Sequence, residues 1–171
     1  MEDKILKEIV DTVKGIEKEN YTLIISIIKK AKRVFVVGTG RSGLIGRCFA
    51  TRLRHINIES YVTGETICPP IRKGDLLVAI SSSGTKKTVA AITEIAKESG
   101  AKILVITSEK NSPLTELADH IVLIPAKNSI QFGGSLFEQV VSIFLDISLE
   151  KFRKQEGISY SNMVKRHTNL E

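Results

Sequence analysis

Leu76-Leu77-Val78-Ala79-Ile80 is five apolar residues in a row with no polar alternation. A strand of that kind has both faces buried, which requires helices above and below its sheet. Residues 33–37, 59–62, 102–107 and 121–124 also carry strand signals, and helix-patterned stretches separate most of them. That alternation predicts an α/β fold, a three-layer sandwich with a five-stranded, mainly parallel sheet flanked by helices. Ahead of the first strand, residues 3–32 place Ile5, Ile9, Val13, Ile16, Leu23, Ile24, Ile27 and Ile28 at three- and four-residue spacing. This predicts a helix with a break or kink at Asn20-Tyr21-Thr22. Ser112-Pro113 signals a helix start, and residues 136–152 form a long apolar helix. At 171 residues without linkers or repeats, the chain reads as one domain over 1–171.

The net charge of +6 comes from scattered basic pairs, and aromatic residues are only 5% of the chain. Base stacking on single-stranded nucleic acid is poorly supplied, and a small anionic ligand explains the basic excess at least as well. No apolar run is expected to span a bilayer, and the N-terminus starts acidic without a signal-peptide core. Cys48 and Cys68 have neither CxxC nor metal spacing. The reading is a reduced, cytoplasmic protein with no metal and no membrane or nucleic-acid partner.

Two turns carry the chemistry. After the first strand comes Gly38-Thr39-Gly40-Arg41-Ser42-Gly43, followed by helix-patterned residues 44–53. Strand, glycine turn and helix start present unpaired N–H groups to an anion, and Ser42 and Arg41 add a hydroxyl and a guanidinium fork. The spacing also satisfies GxGxxG, so a dinucleotide site is an alternative. Against it, Glu59 stands at the ribose distance but precedes its strand's apolar core, and Arg41-Ser42 suits a terminal phosphate better. After the third strand, Ser81-Ser82-Ser83-Gly84-Thr85 supplies four hydroxyls, with Lys86 and Lys87 beyond. By itself this is as readily a polar turn with an N-cap as a phosphate cradle. Paired with the first turn, it favours function.

Ser135-Leu136-Phe137-Glu138 has the pattern of a capping box, which would occupy Glu138 and, with the helix N-terminus, lower its pKa. Yet that helix starts just after the fifth strand, on the edge where both turns lie. Glu65, beyond the second strand, reads as a solvated turn residue or a second carboxylate. His167 lies in a polar tail, while His55 and His120 occupy ordinary edge positions. In that tail Ile158, Tyr160, Met163, Val164 and Leu170 are the candidate anchors.

Four stretches, at 36–50, 62–84, 133–139 and 162–171, resemble the sugar isomerase domain of phosphosugar isomerases and phosphosugar-binding regulators. Within that family they are similar to its 6-phospho-3-hexuloisomerase branch. VVGTGRSGLIGRCFA marks the superfamily; the Gly-Glu-Thr segment at 64–66, Ser135–Gln139 and the Arg166–Glu171 ending are more specific. In the second turn Ser82 stands where the branch has glycine, and Thr85-Lys86 replace its last pair. The resemblance implies a Rossmann-like sheet between helices and a cofactor-independent interconversion of 3-hexulose 6-phosphate and fructose 6-phosphate. It also implies a homotetramer in the ribulose monophosphate pathway of carbohydrate metabolism. Together with the chemistry of the two turns it places phosphate or sugar at Gly40, Arg41, Ser42, Ser81, Ser83 and Gly84; the Thr85 N–H and the Lys86 charge are added by the turn itself, outside the family pattern. The resemblance assigns the base to Glu138, with Glu65 as alternative, and brings His167 near substrate, in some relatives across a subunit interface. A non-catalytic sugar-phosphate-binding regulator, or an isomerase of another sugar phosphate, is the alternative reading.

Overall fold

The structure, a computed structural model, describes residues 1–170; Glu171, which ends the last matching stretch, lies outside the described residues. Five strands form one sheet: β1 (Val34–Val37), β2 (Ser60–Val62), β3 (Leu76–Ile80), β4 (Lys102–Thr107) and β5 (His120–Leu123). All pair in parallel, in the order β2-β1-β3-β4-β5. The continuous apolar run is therefore the central strand, and all five of its residues are buried.

Successive side chains alternate between two cores, as the strand pleat requires. Val34, Val36, Leu76, Val78, Leu104 and Ile106 face α2 (Lys18–Lys30), α3 (Gly40–His55) and α6 (Ser135–Gln155). Phe35, Val37, Leu77, Ala79, Ile103 and Val105 face α4 (Lys87–Glu98) and α5 (Pro113–Glu116). α1 (Glu2–Lys14) adds Ile9 and Val13 at the margin of the first core. These are the three layers expected from the sequence.

Three local expectations need correction. The break in the first helix falls at 15–17, not at Asn20-Tyr21-Thr22. Asn20 and Tyr21 are buried within α2, where the Tyr21 ring meets Phe144 at 4.9 Å between centroids. Packing holds that stretch helical, while Gly15 gives the chain room to turn against Pro125. Second, the helical stretch Phe132–Gln155 is long and apolar enough to cross a membrane, with mean hydropathy 1.3, although no such run was expected. Here it serves as a core helix, burying Leu136, Phe137, Val140, Val141 and Phe144 under the sheet. Third, the tail contains a short helix, α7 (Tyr160–Val164), whose Asn162 N–H donates to Ser159 Oγ at 3.2 Å. Ile158 and Met163 anchor it to the core, but Tyr160, Val164 and Leu170 remain exposed.

The chain order creates a crevice. From β1 it passes outward to β2, then returns to the other side of β1 as β3. Loops leaving β1 and β3 diverge, and ligands of open parallel sheets bind beyond the carboxyl ends at such a reversal.

Candidate active site

A cleft of about 540 Å³ opens at that reversal. Thr39, Gly40, Arg41 and Ser42 form one wall and Ile80, Ser81, Ser82, Ser83 and Lys86 the other; Gly133, Gly134 and Glu138 close the end.

The first wall is the start of α3, which begins at Gly40, ahead of its apolar pattern. Gly40 sits at φ 56, a left-handed conformation costly for other residues. No acidic residue occupies the first turn. Its N–H groups lack intrahelical acceptors, so the helix start is an electropositive edge suited to an anion.

The second wall is braced from behind. Ser82 O accepts from Ser108 N–H and from the Thr107 hydroxyl, both at 3.0 Å. Gly84 O accepts from Leu114 N–H at 3.2 Å. Inside the turn, Gly84 N–H donates to Ser81 Oγ at 3.2 Å and Thr85 N–H to Ser83 Oγ at 3.4 Å. Two donors expected to face phosphate thus point at the turn's own hydroxyls. Gly84 and Thr85 shape the loop from behind, while Gly40, Arg41, Ser42, Ser81, Ser83 and Lys86 line the cleft.

Glu138 is not a capping residue. Gly133 and Gly134 have φ of 60 and 87, which puts the N-cap at Gly134 and leaves Ser135 already helical. The Ser135 hydroxyl donates back to Phe132 O at 2.8 Å and accepts from Arg41 Nη1 at 3.1 Å. Among the described residues no capping box forms on α6. The Glu138 carboxylate instead faces the Arg41 guanidinium, with Nε 3.2 Å from Oε1, and its side chain is only 17% exposed. Burial pushes its pKa up and Arg41 pulls it partly back, so the net shift is upward, opposite to the helix-start expectation.

The other carboxylate and the histidine lie elsewhere. Glu65 is ion-paired with Arg47, well exposed and outside the cleft lining. His167 stacks on His55 with ring centroids 5.0 Å apart, at the far end of α3. The helix separating His55 from the cleft wall has 16 residues, a length of about 24 Å at 1.5 Å per residue. Glu59 accepts from the Tyr61 hydroxyl at 2.6 Å ahead of β2, at the amino end of the sheet. A dinucleotide ribose beside the glycine turn would not reach it. Another cleft, of about 520 Å³, lies near that end among Arg54, Asn57, Ile58, Glu59 and Arg166, remote from every strand's carboxyl end.

Thr39, Ile80, Gly133 and Gly134 line the cleft without having been singled out as site residues. The glycine doublet just ahead of Glu138 was the available signal.

Residues 27–146 match the SIS domain family. The "3-hexulose-6-phosphate isomerase" of Mycobacterium gastri is 38% identical over 96% of this chain and 86% of its own. The protein of that name from Methanocaldococcus jannaschii is 39% identical over 90% and 85%. Among solved structures, a Methanococcus jannaschii protein superposes with a TM-score of 0.90 at 36% identity, covering 99% of this chain and 98% of that one. Its crystal structure is described as inferring a molecular function of 3-hexulose-6-phosphate isomerase.

Proposed function

The chain belongs to the SIS domain family, and on that premise we propose that it is a cofactor-independent isomerase interconverting D-arabino-3-hexulose 6-phosphate and fructose 6-phosphate. The observation that carries this reading is Glu138: a largely buried carboxylate, free of capping duty, on the lip of a serine- and glycine-lined cleft. The names of the similar proteins supply the substrate class.

Moving the carbonyl from C3 to C2 needs one proton taken from C2 and one returned to C3. Between them lies a cis-enediolate. O3 gains a proton and O2 loses one, so the redox state of the pair is unchanged and no hydride acceptor is required. One carboxylate on one face of the sugar can serve both carbons, and Glu138 takes that role. Its raised pKa makes it a stronger base than an exposed glutamate. Arg41, already at its side, steadies the enediolate charge. The ester phosphate sits between the start of α3 and the Ser81–Ser83 loop.

His167 is about a helix length away within its own chain, so it serves the cleft of a neighbouring subunit. There it moves the proton between O3 and O2, work suited to an imidazole, whose two ring nitrogens can accept a proton on one side and donate one on the other. α6 spends much of its apolar side inside its own subunit, whereas α1 leaves Leu6 and Val10 exposed for subunit contact. A homotetramer is the expected assembly. Sedimentation at micromolar protein should show it, and a fully active monomer would remove the cross-subunit role of His167.

The phosphate assignment is tested by Ser83→Ala. Loss of a hydrogen bond to a charged group should raise KM for fructose 6-phosphate roughly tenfold. Fructose itself should not turn over. An unchanged KM would move the phosphate elsewhere. Tight sugar-phosphate binding without turnover by the wild type would favour a regulatory protein, and tight NAD binding would favour a nucleotide site.

A further inference from the structure

The rim of the cleft is built by the segment joining β5 to α6, residues 124–134. Within seven residues it contains three left-handed positions, Asn128, Gly133 and Gly134, at φ 57, 60 and 87. Such backbone persists where its surroundings hold it. Arg41 holds it from within the cleft, donating to Gly133 O and to Ser135 Oγ. From outside it is held by a residue more than 120 positions earlier, Glu8 of α1. Glu8 Oε1 accepts from Ile130 N–H at 2.9 Å. Its Oε2 accepts from the Ser129 hydroxyl at 3.1 Å and from Gln131 Nε2 at 3.0 Å. The Ser129 hydroxyl in turn accepts from Gln131 N–H at 2.9 Å. One carboxylate therefore takes hydrogen bonds from three successive residues, just ahead of the turn that carries Gly133 and Gly134.

α1 is itself a fixed support. Ile9 and Val13 pack on the core, and Gly15 abuts Pro125 at the base of the same segment. These contacts place Glu8 as a brace between the first helix and the cleft rim.

We propose that Glu8 is a positioning residue of the active site. By holding residues 129–131 it sets the Phe132–Gly134 turn, and through that turn the first turn of α6 and the Glu138 carboxylate. Glu8 does not line the cleft, so it acts through this segment and never on substrate. The inference rests on the isomerase reading for its kinetic consequence, but its structural half stands apart from it.

The test compares Glu8→Ala with Glu8→Gln in the full chain. Hydrogen exchange of the Ile130 amide is measured alongside kcat and KM for fructose 6-phosphate. Glu8→Ala should speed exchange at Ile130 and lower kcat by roughly tenfold or more, because displacement of a reacting group by about 1 Å costs on the order of 100-fold. KM should change far less, since the Ser81–Ser83 loop and the start of α3 are untouched. Glu8→Gln keeps a carbonyl acceptor for the Ile130 N–H and should restore most of kcat. If Glu8→Ala folds with wild-type exchange and kcat, the proposal is overturned. If it does not fold, the pair Ser129→Ala and Gln131→Ala removes two of the three hydrogen bonds to Glu8 from the segment's side and leaves only that of the Ile130 N–H. Wild-type kcat in that double variant overturns the proposal equally. Should the wild type turn over no sugar phosphate, the isomerase reading fails by itself. The Ile130 exchange rate then still decides whether Glu8 holds the rim.

Discussion

Replacing Glu138 with Gln is expected to lower kcat by roughly 10²–10⁴-fold, the contribution of a well-placed general base, with little loss of substrate affinity. The amide keeps the size of the carboxylate and an oxygen facing Arg41, but it cannot take a proton from C2. Arg41 is about half exposed, so losing its counter-charge leaves no buried unpaired ion and the fold should survive. In deuterated water the wild type should wash deuterium into C3 of fructose 6-phosphate as it interconverts the ketoses. Glu138→Gln should lose exchange and turnover together. Glu65→Gln breaks only an exposed pair with Arg47, of a kind worth about 0–1 kcal/mol, and should keep near-wild-type kcat. The opposite pattern would transfer the base to Glu65. A pH profile gives an independent check. The base works ionised, and burial raises its pKa above the ordinary glutamate value. Activity in kcat/KM should therefore be present above that raised pKa and fall away as pH drops through it, at a higher pH than an exposed glutamate would give.

The sheet was legible because its signal is local and strong. Five consecutive apolar residues in β3 admit little but a strand covered on both sides, and the structure buries all five. The two turns were legible for the same reason: glycines and hydroxyls cluster where a strand stops and a helix begins. The Glu138 environment was not. Ser-x-x-Glu before an apolar run satisfies the capping pattern, yet Gly133 and Gly134 take left-handed backbone and move the N-cap back to Gly134. That choice is set by Arg41 and the segment ahead of it, which no window around Ser135 contains. Glu8 was less legible still. On an amphipathic helix it reads as a solvated acid, and its partners lie more than 120 residues away. The early helix break was misplaced because Tyr21, a weak helix former by propensity, is held helical by Phe144 and by the Lys151 ammonium 4.5 Å above its ring.

Gly43→Ala should damage both stability and substrate binding, although the residue lies in a helix. Position 43 has ordinary helical backbone, where alanine would normally be better than glycine by about 0.8–1.0 kcal/mol. Against that gain, a Cβ at position 43 would stand 2.7 Å from Gly38 O and 3.1 Å from Gly38 C. Both are backbone atoms of the turn that leaves β1, so neither can swing aside as a side chain would. Overpacking of this kind costs typically ~1–3 kcal/mol, so the clash outweighs the propensity gain. For a chain of this length each 1 kcal/mol of loss lowers Tm by about 2–4 °C. Relief can come only by parting Gly38 from the start of α3, which is the cleft's first wall. A shift there of about 1 Å should reduce kcat/KM for fructose 6-phosphate by on the order of 100-fold. The glycine spacing that resembles a dinucleotide fingerprint is thereby explained by backbone contact and by the φ of Gly40, with no dinucleotide required. Gly100→Ala is the matched control. It forces alanine to φ 80 just ahead of β4, at the amino end of the sheet and so away from the cleft, at a strain of roughly 1–2 kcal/mol. Its Tm should fall comparably while kcat/KM holds. If the two variants lose activity in equal proportion to stability, the Gly38–Gly43 contact serves the fold alone and the first wall does not depend on it.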